Sequence, residues 1–378
     1  MLNRKAIKYM SEDIAKKTID FLIPQFNKKN ISIVFTGGEP LLNFKVIKYV
    51  LNYIKKKYKN INFEFKLTTN GTILNKEIVE EIIKNNIKVI VSLDLPPSQH
   101  DYNRPFKNKK PSFKIIKHNL ELLLRDIPAT NILLRTTLPY NTKFTFRDIV
   151  TSFYRLKLPT ENIAIETEFG KRISYSQICK LDDQKKLFIK YERNCLFNSG
   201  DTKVLYKKEI IGNILYTIIS GKKAINECIP IESGITVNPI GEFYLCDVSV
   251  NKEEFYLGNI YSGFEERKIK DLEKKYYNDC SSCWAVSFCG KFCFLIRNNK
   301  NILSKNCCRL KNDFINDLHF FLNLNCKQIK KLILSAVYFT RDKNYIASHS
   351  KNIDFFLGIY KFLNQNNKYI KPVNLLPY

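Results

Sequence analysis

Between residues 11 and 168 the apolar pattern switches repeatedly between a helical period and a strand period, and most strand-like runs stop at glycine or small polar residues. Residues 11–26 place Ile14, Ala15, Thr18, Ile19 and Leu22 at helical spacing, behind a Ser-Glu-Asp start that suits a helix N-terminus. Residues 31–35 form a short β-branched run that gives way to Gly37, Gly38, Glu39 and Pro40. Residues 44–58 are amphipathic through Val46, Ile47, Val50, Leu51 and Ile54. Residues 61–67 alternate apolar with polar and stop at Thr68, Thr69, Asn70 and Gly71. The succession continues with a helix over 75–84 and a strand over 88–93 that ends on Asp94. Helix and strand pairs follow at 112–125 with 132–137, and at 146–156 with 163–168.

Units of this kind, roughly 30 residues each, predict an α/β fold with a parallel sheet, because a parallel pair of strands needs a helical crossover. Such folds place their chemistry in the loops that follow the strands. Taken singly, a Gly-Gly turn, a Thr-Asn-Gly turn or an Asp at a strand end is an ordinary turn or helix cap. Three of them in order, at 37–40, 68–71 and 92–94, mark the rim of one binding site.

The rest of the chain has a different character. The alternation ends near residue 170–180, a helix-like stretch follows at 184–195, and a basic linker leads into a cysteine-rich segment at 228–308. All eleven cysteines lie at or after Cys179, and the first 178 residues hold none. Cys280, Cys283, Cys289 and Cys293 form C-x2-C-x5-C-x3-C; Cys228 and Cys246 precede them and the Cys307–Cys308 pair follows. Thiolates with only four histidines in the whole chain suit zinc or an iron–sulfur cluster. A zinc ribbon pairs two C-x2-C knuckles and one is present, whereas seven or eight thiolates fit two four-iron clusters. Residues 309–378 are helical in pattern and carry no motif.

Composition narrows the setting. The formal net charge is +26, but the lysines are dispersed and accompany no nucleic-acid-binding signature, so no nucleic-acid partner is expected. The basic N-terminus has no apolar run behind it and no segment reaches the ~20 apolar residues of a membrane span. A cytoplasmic protein with no membrane partner is expected, in a compartment where clustered cysteines bind metal rather than pair as disulfides.

The order GGEPLLNF, TTNGT, SLD with HDYNR, then C-x12-G-x4-C, YLGNI, C-x2-C-x5-C-x3-C and a last cysteine resembles the radical S-adenosylmethionine (SAM) enzymes with a SPASM domain. The resemblance covers about residues 11–325, and in local pattern the anaerobic sulfatase-maturating enzymes are among the most similar. It implies a partial (β/α) TIM-like barrel over 1–175, its first strand missing, then a linker helix region over 176–227. A SPASM domain over 228–325 and a helical tail over 326–378 complete the expected layout.

The resemblance also implies site residues. Gly37, Gly38, Glu39 and Pro40 match the loop that holds the methionine end of SAM; Ser92 and Arg104 match contacts to its nucleoside and carboxylate, with Asn70 and Asp94 on the same rim. Cys228, Cys246 and Cys293 match ligands of a first auxiliary [4Fe-4S] cluster. Cys280, Cys283, Cys289 and one of Cys307 or Cys308 match the second, with Cys308 favoured. Asp247 is similar to the general base of the sulfatase-maturating group.

Departures are equally specific. The family's C-x3-C-x2-C motif, which holds the SAM-cleaving cluster, has no counterpart in this chain. Leu95 stands where the family usually has glycine after the SLD aspartate, and Lys222 where the sulfatase group has a further cysteine. The first cluster is then left with three protein ligands and an open iron, or recruits Cys179 or Cys195. Two functions are expected from this. One is a radical SAM maturase of a peptide or protein, N-terminally truncated and served by an electron donor such as ferredoxin or flavodoxin. The other is an inactive paralogue that keeps its auxiliary clusters and binds a peptide or partner.

Overall fold

The apolar periodicity of residues 11–168 folds as alternating helices and strands. In the computed structural model, α1 (Glu12–Phe26) leads to β1 (Asn30–Phe35), α2 (Phe44–Lys57) to β2 (Asn62–Thr69), and α3 (Lys76–Lys84) to β3 (Lys88–Ser92). A short α4 (Pro97–Asn103) and α5 (Phe113–Asp126) then precede β4 (Ile132–Leu138), and α6 (Phe146–Arg155) precedes β5 (Ile163–Thr167). The structure describes residues 9–26, 29–138, 144, 146–156, 163–167, 234–277, 283–285, 304, 307–308, 311 and 315. The expected helices at 184–195 and 326–378 lie outside the described residues. The chain divides into two compact units, Met1–Tyr191 with Gly234–Ile269, and Glu192–Ser233 with Lys270–Tyr378.

The five strands form one parallel sheet in chain order, β1-β2-β3-β4-β5. Helix faces that the sequence marks as apolar are the buried ones: Ala15, Ile19, Leu22 and Ile23 of α1, and Ile47, Val50, Leu51 and Ile54 of α2. They share a core with Phe65, Leu67, Val89, Val91, Ile132 and Leu134 from the strands. Helix starts are capped by side chains, Ser11 Oγ accepting from the Ile14 N–H at 3.1 Å and Asn75 Oδ1 from the Ile78 N–H at 2.9 Å.

Strand β2 shows how the two faces of the sheet differ. Phe65, Leu67 and Thr69 are buried, while the alternate residues Glu64, Lys66 and Thr68 are half-buried. Glu64 pairs with Lys66 at 3.2 Å and also with Lys88 on β3. Parallel sheets are ordinarily apolar on both faces. Here one face meets helices, and the other carries charge.

A second sheet, antiparallel, runs β6 (Thr236–Val237), β7 (Glu242–Tyr244), β8 (Tyr256–Asn259), β9 (Gly263–Phe264), and is followed by α7 (Glu266–Tyr277). It belongs to the same unit as α1, whose Phe21 stacks on Phe243 at 5.3 Å and meets Phe264 at 5.6 Å. Gly258 has φ +127°, and a Cβ there would lie 2.1 Å from the Gly263 carbonyl oxygen, so only glycine fits where β8 and β9 pair.

The candidate site at the carboxyl rim of the parallel sheet

The loop after β1 turns on Gly37, whose φ of +144° belongs to glycine alone. Glu39 follows in extended backbone and reaches across to the end of β2. Its Oε1 accepts from the Leu41 N–H at 3.1 Å and the Thr69 hydroxyl at 2.9 Å, and its Oε2 accepts from the Asn70 N–H at 2.7 Å. Glu39 thereby caps the short turn Pro40–Asn43 and ties two neighbouring strand ends together. Asn70 Oδ1 accepts from the Thr72 N–H and hydroxyl at 2.9 and 2.6 Å, so its side chain shapes the turn after β2. Gly71 beside it, at φ +74°, has no room for a side chain: a Cβ would stand 2.9 Å from Ile116 Cγ2.

Gly38 is different. It has neither a left-handed φ nor any atom within 4 Å of where a Cβ would stand. Among the described residues nothing requires glycine there, and the space beside it is open.

The loop after β3 repeats the strand-tying device with a second carboxylate. Asp94 is buried to 1% exposure; its Oδ1 accepts from the Thr137 N–H at 2.9 Å, joining β3 to β4. Its Oδ2 accepts from Arg104 Nε at 2.8 Å and from Asn103 Nδ2 at 3.2 Å. Arg104 Nη2 in turn donates to Thr137 Oγ1 at 3.3 Å. Among the described residues Arg104 Nη1 has no hydrogen-bond partner, and a third of the side chain is exposed. Ser92 is half-buried at the last position of β3, opposite Arg135 in register. Leu95, which takes the place of the family's glycine, is wholly buried in the core.

Helix α4 supplies what the sequence reading passed over. It carries HDYN and is capped by Arg104, yet only Arg104 was expected to matter. Asp101 Oδ1 accepts from the N–H groups of Ser112 and Phe113, both at 2.8 Å, and so fixes the start of α5. His100 is wholly buried and bonds both the Asp94 N–H and Ser112. Burial pushes its imidazole below the usual value; the Asp94 and Asp101 carboxylates oppose this and Arg104 reinforces it. The readable signal was spacing: His100, Asn103 and Arg104 lie three and four apart, on one helical face.

The thiolate half is described in part. Cys246 follows β7 and is half-buried; its N–H donates to Ser249 Oγ at 2.9 Å, and that hydroxyl donates back to the Cys246 carbonyl at 2.7 Å. Asp247 is exposed and accepts from the Val248 N–H at 2.9 Å. Cys283 and Cys307 are half-buried and Cys308 is exposed, none of them in a disulfide. Cys228, Cys280, Cys289 and Cys293 lie outside the described residues. Among the described residues no three ligand-type side chains converge as a metal site, and no helix is long and apolar enough to cross a membrane.

Residues 3–152 match the family model of the Radical SAM superfamily. The radical SAM cyclopropyl synthase of Paramaledivibacter caminithermalis is 27% identical over 308 residues, 78% of this chain and 59% of that protein. A cysteine-type anaerobic sulfatase-maturating enzyme of Clostridium novyi is 36% identical over 108 residues, 28% of this chain and 29% of that enzyme. The matches thus span less than two thirds of either relative's length. The solved structure of native anSMEcpe with bound AdoMet superposes with a TM-score of 0.60 at 18% identity, covering 82% of this chain and 93% of that one. That likeness supports the α/β fold.

Proposed function

Residues 3–152 being a radical SAM domain, we propose that this chain is a maturase of a peptide or protein, with SAM seated on the carboxyl rim of its parallel sheet. The observation that carries the reading is the rim itself. Glu39 and Asp94 tie four strand ends in two pairs, and Gly38 opens onto space that no described residue fills. Two backbone-lined glycines, a half-buried Ser92 hydroxyl and the remaining Arg104 donor fit a zwitterionic ligand with a ribose. Gly37, Gly38 and Pro40 give the methionine end a close approach to backbone, and Arg104 Nη1 takes its carboxylate. SAM held on this rim would supply, if reductively cleaved at an iron–sulfur cluster for which the first 178 residues offer no cysteine, a 5′-deoxyadenosyl radical for hydrogen-atom abstraction.

Cys228, Cys246 and Cys293 hold one auxiliary four-iron cluster in this reading; Cys280, Cys283, Cys289 and Cys308, with Cys307 as its alternate, hold the second. Asp247, exposed beside Cys246, accepts the substrate proton. The electron donor is a ferredoxin or flavodoxin, and cluster chemistry places the protein in a reducing, cytoplasmic compartment. The named relatives make a cyclopropyl group and mature sulfatases, so the substrate class is a peptide or protein side chain.

A second reading has its own observation. The first 178 residues hold no cysteine, so the barrel half contributes no thiolate to a SAM-cleaving cluster. An auxiliary-cluster protein that binds a peptide without radical chemistry satisfies this. One experiment separates the two: anaerobic reconstitution of the full chain, then SAM, dithionite and product analysis. Formation of 5′-deoxyadenosine rejects the binding reading, and roughly eight irons per chain without that product favours it. Absence of SAM binding by calorimetry rejects the rim assignment.

A further inference from the structure

We infer that His100 is a positioning residue for Arg104, held as the neutral tautomer with its proton on Nε2; the inference rests on Arg104 being a SAM contact. The ring is wholly buried and meets Phe113 edge-on at 5.8 Å. Its Nδ1 lies 3.1 Å from the Asp94 N–H and must accept, which requires a bare Nδ1. Ser112 Oγ lies 3.1 Å from Nε2 and gives its one proton to the Arg104 carbonyl at 2.6 Å. The hydroxyl then has only lone pairs to offer the ring, so Nε2 carries the proton. Two partners on opposite sides of the imidazole demand the same tautomer.

The resulting chain runs from the Asp94 N–H through His100 and Ser112 to the Arg104 carbonyl. It joins the backbones of the two residues whose side chains form the ion pair at 2.8 Å. The side-chain bridge sets where the guanidinium points, and the backbone bridge sets where its stem starts. Among the described residues, charged groups face the ring from two elements: Asp94 from the loop after β3, and Asp101 with Arg104 from α4. Helix α5 meets it with Phe113 and the capping Ser112, neither charged. A second proton on the ring would set an Nδ1–H against the Asp94 N–H, two donors facing each other, and would loosen Asp94 and Arg104 together.

The chain has four histidines, so ¹⁵N-histidine NMR of the full-length protein reads this one directly. At pH 7 His100 is expected to show the neutral Nε2–H pattern; an Nδ1–H tautomer or an imidazolium there overturns the inference. His100→Phe keeps the ring and its packing, and Ser112→Ala is the milder cut. SAM binding to the reconstituted protein should weaken ~tenfold and ~threefold respectively, with the fold intact by circular dichroism. Combined with Arg104→Lys, His100→Phe should add little beyond the Arg104 change alone, and full additivity overturns the inference. If the unaltered protein binds no SAM, the functional reading falls. The Arg104 Nε–H resonance, which needs no ligand, then decides: a shift on His100→Phe upholds the positioning role and an unmoved signal rejects it.

Discussion

Glu39 and Asp94 occupy equivalent places and are built differently. Each follows an odd-numbered strand and bonds the end of the next strand, β1 to β2 and β3 to β4. Glu39 takes three neutral donors and remains half-buried. Asp94 is almost wholly buried and takes a guanidinium. The first clip is a set of ordinary hydrogen bonds, each worth about 1 kcal/mol net. The second is a buried charge with one cation beside its Asn103 and Thr137 donors, and such a carboxylate is costly to orphan. A rim can therefore be closed by a tolerant joint at one end and an intolerant one at the other.

The largest effect should come from breaking the intolerant joint. Arg104→Ala leaves Asp94 buried without its cation and should cost ~3 kcal/mol or more in urea unfolding, whereas Asp94→Asn with Arg104→Ala together should recover part of that loss. Next comes Glu39→Gln, which turns one accepting oxygen into a donor facing backbone N–H and should cost about 1–2 kcal/mol. Equal losses for the two clips would erase the distinction between them.

Asp20 is a third strand-independent carboxylate and tests whether exposure sets the scale. Burial pushes its carboxyl up, and hydrogen bonds from Lys57, Tyr53 and Lys16 more than offset this, leaving it at about 2. Its folded value lies below its ordinary 3.8, so its contribution is present above about pH 4 and is lost as pH falls toward 2. Because the cluster is solvent-screened, Asp20→Asn should cost only about 1 kcal/mol at pH 7, a cost that shrinks below about pH 4 and disappears only as pH falls through the folded value of about 2, read from urea midpoints across pH. The smallest stability change belongs to Gly38→Ala, expected within about 0.5 kcal/mol of the unaltered protein because a Cβ meets no atom. The same change should weaken SAM binding, while Gly37→Ala, at φ +144°, should lose ~1 kcal/mol of stability as well.

The helices and strands of residues 11–168 were legible because each buries a continuous stripe at its own period. Ile47, Val50, Leu51 and Ile54 of α2 are the clearest case, read from spacing and found buried. Helix α4 was not legible, since PSQHDYN has no apolar stripe and is held by the polar side chains of His100, Asp101 and Asn103. Strands β6 to β9 are two to four residues long, too short for alternation to register. The site's polar ties were invisible for another reason. Asp94 and Thr137 are 43 residues apart, and Glu39 and Thr69 are 30 apart, and no local pattern announces such pairs. Motif order could place Gly38 and Ser92 at strand ends and Arg104 beyond the third; it could not tell that Glu39 and Asn70 bond the rim's own backbone.

Phe21 lies on the first helix, and the rings it stacks on, Phe243 and Phe264, arrive more than two hundred residues later. A ribosome emitting this chain therefore delivers the parallel sheet and its helices with part of their apolar cover still unsynthesised. The rings over Phe21 cannot assemble until residue 264 has left the exit tunnel, by which time residues 192–233 have already emerged. Truncation near residue 175, natural or engineered, would leave that aromatic face open to water and to aggregation. Slow synthesis or chaperone contact would act during that interval, and a pulse-proteolysis time course of nascent chains would see it end at β9.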